Sequence, residues 1–288
     1  MNFSFTIRFS ELTLRFTLPS AIRLPDNFAA LQVDNAQIPD AEYRVQLLTQ
    51  PLKSDVPPLW VDGDTYIYQT EKGWLRIYPT LGDQDGCQVA CLFCSEGPHT
   101  LYYPASRWEE YSQVLRCAHL MQGEQLLLRH DAFLLHSALV RIHGKAVLFF
   151  GASGAGKSTQ AALWEKYLDA EILNGDRTVI TRRADGFYGG GSVWSGTSHI
   201  YRPEEAPIAG IFLVTQAPEN RVEPMGVEAF KALMTQTTVN SWDSAFMEKI
   251  TDLLGKLLEQ VPIYRLYCRP DRDAAVLAYH RLFGKESL

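Results

Sequence analysis

The hydrophobic and polar positions of this chain follow two different periods, and the change comes near residue 104. Before it, apolar residues alternate with polar ones, as they do from Phe3 to Phe9 and from Leu12 to Leu18. Such a period of two is typical of half-buried antiparallel strands, and residues 1–104 are predicted to form a β-rich module. Further strands are predicted at TYIYQ, WLRIY, QVACLFC and HTLYY.

From residue 105 onward, helical spacing and short apolar runs take turns. An amphipathic helix is predicted from apolar residues three or four positions apart, namely Trp108, Tyr111, Leu115, Ala118 and Met121. Strands are predicted at LLHSALVRI, KAVLFF, AEILNGD, IAGIFLV and VPIYRLYC, with a hairpin in VITRRADGFYGG. Helices are predicted through Trp164, near Phe246 to Leu257, and after Pro270. This mixture predicts an α/β nucleotide-binding domain over residues 105–288.

Composition narrows the range of functions. The 288 residues are 46% hydrophobic and 21% charged, which suits a globular protein in water. The net charge of -6, without any run of Lys and Arg, argues against a nucleic-acid partner. No apolar stretch is long enough to span a membrane, and charged residues interrupt the apolar N-terminus, unlike a signal peptide. We therefore expect a cytoplasmic protein with neither a nucleic-acid nor a membrane partner.

Three of the five cysteines are closely spaced. Cys87, Cys91 and Cys94 form a C-x3-C-x2-C pattern, which resembles the cluster-binding loop of radical SAM enzymes. The same stretch, QVACLFC, also has the pattern of a buried strand whose cysteines pack as small apolar residues. The strand is the preferred interpretation, and the cluster enzyme stays as the alternative. An odd cysteine count predicts no disulfide framework.

The stretch GASGAGKST, directly after the apolar run AVLFF, matches the pattern G-x-x-x-x-G-K-[ST]. In such loops glycines let successive backbone N–H groups point at phosphate, the lysine reaches the β and γ phosphates, and the hydroxyl completes a Mg²⁺ shell. The predicted nucleotide-binding residues are Gly151, Ala152, Ser153, Gly154, Ala155, Gly156, Lys157, Ser158 and Thr159.

An acidic partner for the metal is predicted at the end of AEILNGD. Asp176 ends this apolar run, and we expect it to bind Mg²⁺ together with Ser158. The Ser-Gly-Gly-Gln signature of transporter ATPases and the Asn-Lys-x-Asp motif of switch GTPases are both absent from the sequence. Of these classes of protein with a phosphate-binding loop, a kinase is the one that remains.

Three stretches together, LLHSALVRIHGKAVLFFGASGAGKST, ILNGDRTVI and GGGSVWSG, resemble the HPr kinase/phosphorylase family and its relatives around phosphoenolpyruvate carboxykinase. The resemblance covers roughly residues 130–215, with His136 matching the family's histidine before the loop and Asp176 its acidic strand end. It implies an HPr-kinase/PEP-carboxykinase-like P-loop core in which ATP and Mg²⁺ phosphorylate a hydroxyl, typically serine, of a small protein, peptide or free amino acid. Members of the family assemble as oligomers, which leaves a homo-oligomer open here.

One departure from the family leaves roles open. Members usually carry two adjacent acids here, whereas Gly175 and Arg177 flank a single Asp176. Asp176 is therefore expected to hold metal, to accept the proton of the hydroxyl, or to do both, and His136 is the alternative base or a phosphate-positioning group. Arg177 is expected to neutralise charge on the transferring group. With one acid, a non-catalytic ATP-binding sensor or an accessory protein of peptide tailoring is the alternative function.

Further arginines are candidates to hold an anionic substrate, namely Arg202, Arg265 and Arg269. GTP and pyrophosphate stay open as alternative donors, because the loop pattern by itself selects phosphate and not a base.

Overall fold

The computed structural model describes residues 2–54, 56–114 and 120–285, and the chain divides into two compact units, 1–123 and 124–288. Each unit contains one large β-sheet, so the protein is mixed α/β. Of the predicted amphipathic helix, Trp108–Val114 is helical, whereas Leu115 and Ala118 lie outside the described residues.

The first unit is built on a nine-stranded sheet in the order β3-β1-β2-β4-β9-β8-β7-β6-β5. Its strands are β1 (Phe3–Phe9), β2 (Leu12–Leu18), β3 (Gln32–Val33), β4 (Ala41–Leu48), β5 (Trp60–Asp62), β6 (Thr65–Thr70), β7 (Gly73–Tyr78), β8 (Val89–Cys94) and β9 (His99–Pro104). Its helices include α1 (Asp26–Ala29) and α2 (Trp108–Val114). All the strands predicted from the period of two are present.

The strands that the sequence predicts are antiparallel where they pair with one another, as β1 does with β2 and β8 with β9, whereas β4, which had not been predicted, pairs in parallel. β2 pairs with β4, and β4 with β9, in parallel. Long connections lead from β2 to β4 and from β4 to β9, and such connections allow a strand to return in the same direction. The cysteine-bearing stretch is the buried strand that the sequence predicts, with Cys91 in β8 wholly shielded from solvent.

Helix α2 lies in the first unit, whereas the sequence analysis placed the boundary at residue 105. Tyr111 explains the difference, because its ring is 5.3 Å from that of Tyr103 at the end of β9 and its hydroxyl hydrogen-bonds the Leu81 carbonyl. Arg107 also donates to the carbonyls of Leu81 and Gly82. These contacts tie the helix to the sheet before it.

The second unit is built on an eight-stranded sheet. Its strands are β10 (Ala132–Ile142), β11 (Lys145–Phe150), β12 (Glu171–Asn174), β13 (Arg177–Arg183), β14 (Gly186–Gly190), β15 (Glu205–Gln216), β16 (Arg221–Pro224) and β17 (Ile263–Cys268). Its helices include α3 (Gly123–Arg129), which crosses the division between the units, α4 (Lys157–Leu168), α5 (Glu228–Gln236), α6 (Ser244–Gln260) and α7 (Arg272–Phe283). The predicted elements are confirmed; β16, α3 and α5 had not been predicted.

Two long strands organise this sheet. One half of β10 pairs with β11 and β12 and the other half with β13. Likewise β15 pairs with β14 at its start, then in parallel with β11 and β17. Helices α5 and α6 contribute to the apolar core on one side of the sheet, and α4 and α7 to the core on the other. The second unit therefore has the layered architecture of an α/β domain.

None of the described helices is both long and apolar enough to cross a lipid bilayer.

Substitution of Trp164 on α4 tests the packing of the apolar core between the sheet and helices α4 and α7. Its ring is fully buried, 5.5 Å from Phe149 and 6.1 Å from Tyr279. Because the cavity left by truncation cannot fully collapse, Trp164→Ala is expected to lower the free energy of unfolding by about 3–5 kcal/mol, measured by urea denaturation. Tyr167→Ala is the control, since Tyr167 is 38% exposed on the same helix and its loss should cost about 0.5 kcal/mol or less. Equal losses in both variants would contradict this packing.

Candidate functional site

The glycine-rich loop, residues 151–156, connects β11 to α4. Gly156 precedes the first residue of the helix with φ of 105°, a left-handed conformation that favours glycine. Within the loop the Ala155 N–H donates to the Ala152 carbonyl at 3.1 Å, and from outside it the Gln216 side chain donates to the Gly154 carbonyl at 2.9 Å. The loop is thus held in a tight curl before the helix begins.

Lys157, the first residue of α4, folds back over this curl. Its side-chain ammonium donates to the carbonyls of Gly151, at 3.1 Å, and Ala152, at 3.3 Å. The residue is only 8% exposed, and this burial lowers the pKa of Lys157, while the negative charge of Asp176 acts in the opposite direction. A positive charge therefore lies at the helix N-terminus, where the helix dipole is also positive.

The outer residues of the loop face solvent. Ala152, Ser153 and Gly154 are exposed, and so are Ser158 and Thr159 on the first turn of α4. The backbone and hydroxyls of this segment are therefore accessible to an anion, as a phosphate-binding role requires.

Strand register brings this loop close to Asp176. On one side of β10, Ser137 pairs with Phe150, the last residue before the loop. On the other side, the Ser137 N–H donates to the Asp176 carbonyl at 2.9 Å. One residue earlier, His136 pairs with Arg177. The three predicted groups, far apart in the chain, are thus neighbours across three strands.

The side chains at this point form a charged cluster. His136 Nε2 lies 3.2 Å from Asp176 Oδ1, and each side chain is about one-third exposed. The other oxygen of this carboxylate is 3.6 Å from Arg177 Nε, while Arg177 Nη1 donates to the Thr238 hydroxyl at 2.8 Å. Asp176 therefore lies between a histidine and an arginine, close enough to Lys157 to affect its charge.

The protonation of His136 follows from these neighbours. Burial lowers the pKa of His136, and the positive charges of Lys157 and Arg177 lower it further, whereas Asp176 raises it. The net direction is downward, so the imidazole is neutral at pH 7 and can accept a proton. With Asp176 ionised, the Nε2–H of the neutral ring donates to the carboxylate.

Asn174 holds the turn that carries Asp176. Its side-chain oxygen accepts from the backbone N–H groups of Asp176, at 2.9 Å, and Arg177, at 2.8 Å. Its side-chain nitrogen donates to the Trp194 carbonyl at 3.0 Å. The stretches LNGDR and SVWSG are therefore joined by one buried amide, whose loss would leave several backbone groups unpaired.

Gly196 lies against the same carboxylate. A Cβ on Gly196 would come within 2.8 Å of Asp176 Cγ, so a larger residue would displace the acid. Nearby, Ser195 is buried, and its hydroxyl makes no hydrogen bond to the described residues. The glycine of the Trp-Ser-Gly stretch is thus required by close approach to the acid.

The arginines proposed as substrate ligands have other partners. Arg202 forms an ion pair with Glu171, and Arg269 pairs with Asp271 at 2.9 Å. Arg265 lies 5.9 Å from the centre of the Tyr267 ring. The structure does not bring these three together with Asp176.

The groups proposed for Mg²⁺ are oxygens of Ser158 and Asp176, and hard cations prefer oxygen ligands. In the described part of the chain, no group of three or more His, Cys, Asp or Glu side chains could hold a metal ion by itself.

Sequence reasoning missed the residues that support the site. Asn174 was not predicted as a site residue, although Asn two residues before Asp is a signal for a side-chain cap of the backbone. Gln216 on β15 and Thr238 after α5 carry no local signal, because each reaches the site only through the fold.

The charge cluster predicts opposite shifts in two variants. Lys157→Met removes a cation that lowers the pKa of His136, so that pKa is expected to rise, whereas Asp176→Asn removes an anion and should lower it further. Titration of the His136 imidazole by NMR measures both. Lys166→Met, on the exposed side of α4, is the control and should leave the titration unchanged. Shifts of the same sign in both variants would refute the cluster.

No protein-family model matches this chain, and no curated protein matches it in sequence. Among solved structures, the chain is similar to the HPr(Ser) kinase/phosphatase from Coxiella burnetii, with 13% identity and a TM-score of 0.27. The match covers 52% of this chain and 90% of that one. A similarity this distant does not assign an activity, so the chemistry has to follow from the residues themselves.

Proposed function

We propose that the protein is an ATP-dependent kinase that transfers the γ-phosphate to a hydroxyl, preferably a serine, of a small protein, peptide or free amino acid. The observation that carries this proposal is the contact of His136 with Asp176 beside the glycine-rich loop and Lys157. It joins a phosphate-binding loop to a group able to take a proton.

The loop supplies electrostatic stabilisation. Backbone N–H groups, the helix N-terminus and the Lys157 ammonium are all positive at one place, where the charge of a triphosphate would lie. A Mg²⁺ bound by Ser158, Asp176 and phosphate oxygens would neutralise charge on the β and γ phosphates. The ammonium must exchange its two loop carbonyls for phosphate oxygens, which are stronger acceptors.

In the proposed reaction the acceptor hydroxyl oxygen bonds to the γ-phosphorus while the bond to the oxygen that bridges the β and γ phosphates breaks. The products are a phosphate ester and ADP. The hydroxyl proton goes to the His136–Asp176 pair. A serine hydroxyl is a weak nucleophile at neutral pH, so this proton transfer is needed for a useful rate.

The His136–Asp176 contact also explains how a site with one acid could both bind Mg²⁺ and accept a proton. A carboxylate that binds Mg²⁺ is a poor base, but a neutral histidine beside it can take the proton in its place. The lowered pKa of His136 keeps the ring unprotonated at neutral pH. We assign metal binding to Asp176 and proton acceptance to the pair, with Arg177 placed to offset charge on the transferring group.

For the first unit we propose acceptor recognition or assembly. Support comes from exposed large apolar side chains concentrated around β5, among them Leu59, Trp60 and Val61. Concentrated exposed apolar groups favour binding to another molecule.

A nucleotide sensor without catalysis is the second candidate. The lone acid between Gly175 and Arg177 favours it, because the family that the sequence resembles usually carries two acids there. Such a protein would bind ATP without transferring phosphate.

Substitutions of the charged cluster test the kinase proposal. Lys157→Met and Asp176→Asn are each expected to lower kcat/KM by about 10²-fold or more, because each removes charge stabilisation or proton transfer at the reacting phosphate. Transfer of labelled γ-phosphate to free serine, serine-containing peptides and small proteins measures the rate. Lys166→Met, a matched lysine on the exposed side of α4, should behave as wild type.

A wild-type protein that binds Mg·ATP but labels none of these acceptors, and that changes its partner binding with ATP, favours the sensor. Undiminished transfer in Lys157→Met would remove the assigned role of the loop.

A further inference from the structure

A cavity of about 590 Å³ lies in the first unit, and the proposed phosphoryl transfer does not use it. Its volume is within the range of about 300–1,000 Å³ that is typical of ligand sites. Tyr66 and Tyr68 of β6 line the cavity together with Ile77 near the end of β7. Tyr66 pairs with Ile77, and alternate residues of a strand share a face, so these three side chains lie on one face of the sheet.

Hydrogen bonds hold the walls of this cavity in place. The side-chain amide of Gln88 accepts from the Leu52 N–H at 2.8 Å and donates to the Leu52 carbonyl at 3.3 Å. In the loop after β7, the Asp83 carboxylate accepts from the Cys87 N–H at 2.8 Å. All four residues line the cavity. Walls that are fixed beforehand reduce the ordering cost of binding.

The charges of the lining differ in their availability. The Asp83 carboxylate is occupied by donors of its own unit, among them the Asp85 N–H at 3.1 Å and the Ser106 hydroxyl. The exposed Lys53, by contrast, makes no hydrogen bond or ion pair to the described residues. The cavity therefore suits a ligand that brings an apolar group together with a negative charge.

An apolar surface continues from the cavity to the edge of the sheet. Strand β5 is the last strand in the order of the sheet and pairs only with β6 in the described part of the chain. Val61 of β5 lies directly opposite Tyr66, so the two side chains share the face that carries the cavity. Val61 is 51% exposed and Tyr66 36%. Exposed apolar side chains grouped beside a cavity favour binding to another molecule.

The width of this surface selects the kind of ligand. β6 lies between β5 and β7, so β5 and β7 are about 10 Å apart. A free amino acid has one side chain and cannot fill the cavity and contact β5 at once. An extended polypeptide covers the same distance with about three residues.

We propose that this face of the first unit binds an extended segment of the acceptor polypeptide. The segment places a large apolar side chain in the cavity, an acidic residue beside Lys53 and a second apolar side chain against Val61. This inference rests on the proposed function and deepens it, because it selects a peptide or protein as the acceptor over a free amino acid. The side chain in the cavity supplies most of the affinity, and the charge pair supplies selectivity.

Binding of labelled synthetic peptides to the full-length protein, measured by fluorescence anisotropy, tests this surface. The probes are short peptides with two phenylalanines three positions apart and either a glutamate or a lysine placed in turn at each other position. The tightest glutamate peptide is expected to bind about tenfold or more tighter than the same peptide with serine in place of both phenylalanines. It should exceed N-acetylphenylalanine amide by a similar factor.

A charge reversal tests the assigned role of Lys53. Lys53→Glu is expected to weaken the glutamate peptide about threefold or more and to strengthen the matching lysine peptide. Lys72→Glu makes the same change of charge on the exposed turn between β6 and β7 and should bind both peptides as wild type.

Truncation of Tyr66 tests the apolar contact. Tyr66→Ser is expected to weaken the glutamate and lysine peptides by the same factor, since it removes apolar contact and no charge. A urea unfolding curve like that of the wild type shows that this variant is folded.

Three results would overturn the inference. They are equal binding of the phenylalanine and serine peptides, an unchanged charge preference in Lys53→Glu, and binding of N-acetylphenylalanine amide as tight as that of the peptide, which would indicate a small-molecule site. Failure of the proposed function has a different signature. The docking peptide, extended by a serine-containing segment, would then bind and respond to Lys53→Glu but receive no labelled γ-phosphate from ATP.

Discussion

The site depends on the register of one residue, Ser137, in the middle of β10. Its pairing with Phe150 fixes the point at which the glycine-rich loop begins after β11. Its N–H, which donates to the Asp176 carbonyl, fixes the position of Asp176 beside β10. A shift of one residue in either pairing would turn His136 to the other face of the sheet. Ser137 is fully buried, and its hydroxyl bonds that of Thr178 at 2.8 Å, which resists such a shift.

The charges gathered by this register control one another. Lys157 and Arg177 are cations and Asp176 is an anion, so His136 can stay neutral without leaving the cluster. A neutral imidazole and an ionised carboxylate together can do work that one carboxylate cannot do alone. A site with the single acid Asp176 is therefore compatible with proton transfer, because His136 on the neighbouring strand supplies the second group.

The residues that support the site are buried and hydrogen-bonded. They hold the site rigid, and breaking their hydrogen bonds would lower the stability of the fold. Asn174 ties the Asp176 turn to the Trp194 backbone, and Gly196 leaves room for the carboxylate and no more. The hydroxyl of Ser195, which adjoins Gly196, makes no hydrogen bond to the described residues. A buried polar group without a hydrogen bond lowers stability. Such groups are therefore found more often at binding sites, where a ligand can supply the bond, than in a packed core.

The sequence determined the elements and the chemistry of the loop, since apolar periodicity, turn residues and the GASGAGKST pattern are all local. It determined that Lys157 and Ser158 begin a helix after a buried strand. Only the tertiary structure decided that His136 contacts Asp176, that β4 pairs in parallel on both sides, and that Gln160 meets Cys268. Those contacts join residues far apart in the chain, and the packing of strands and helices that brings them together is not specified by any one local pattern.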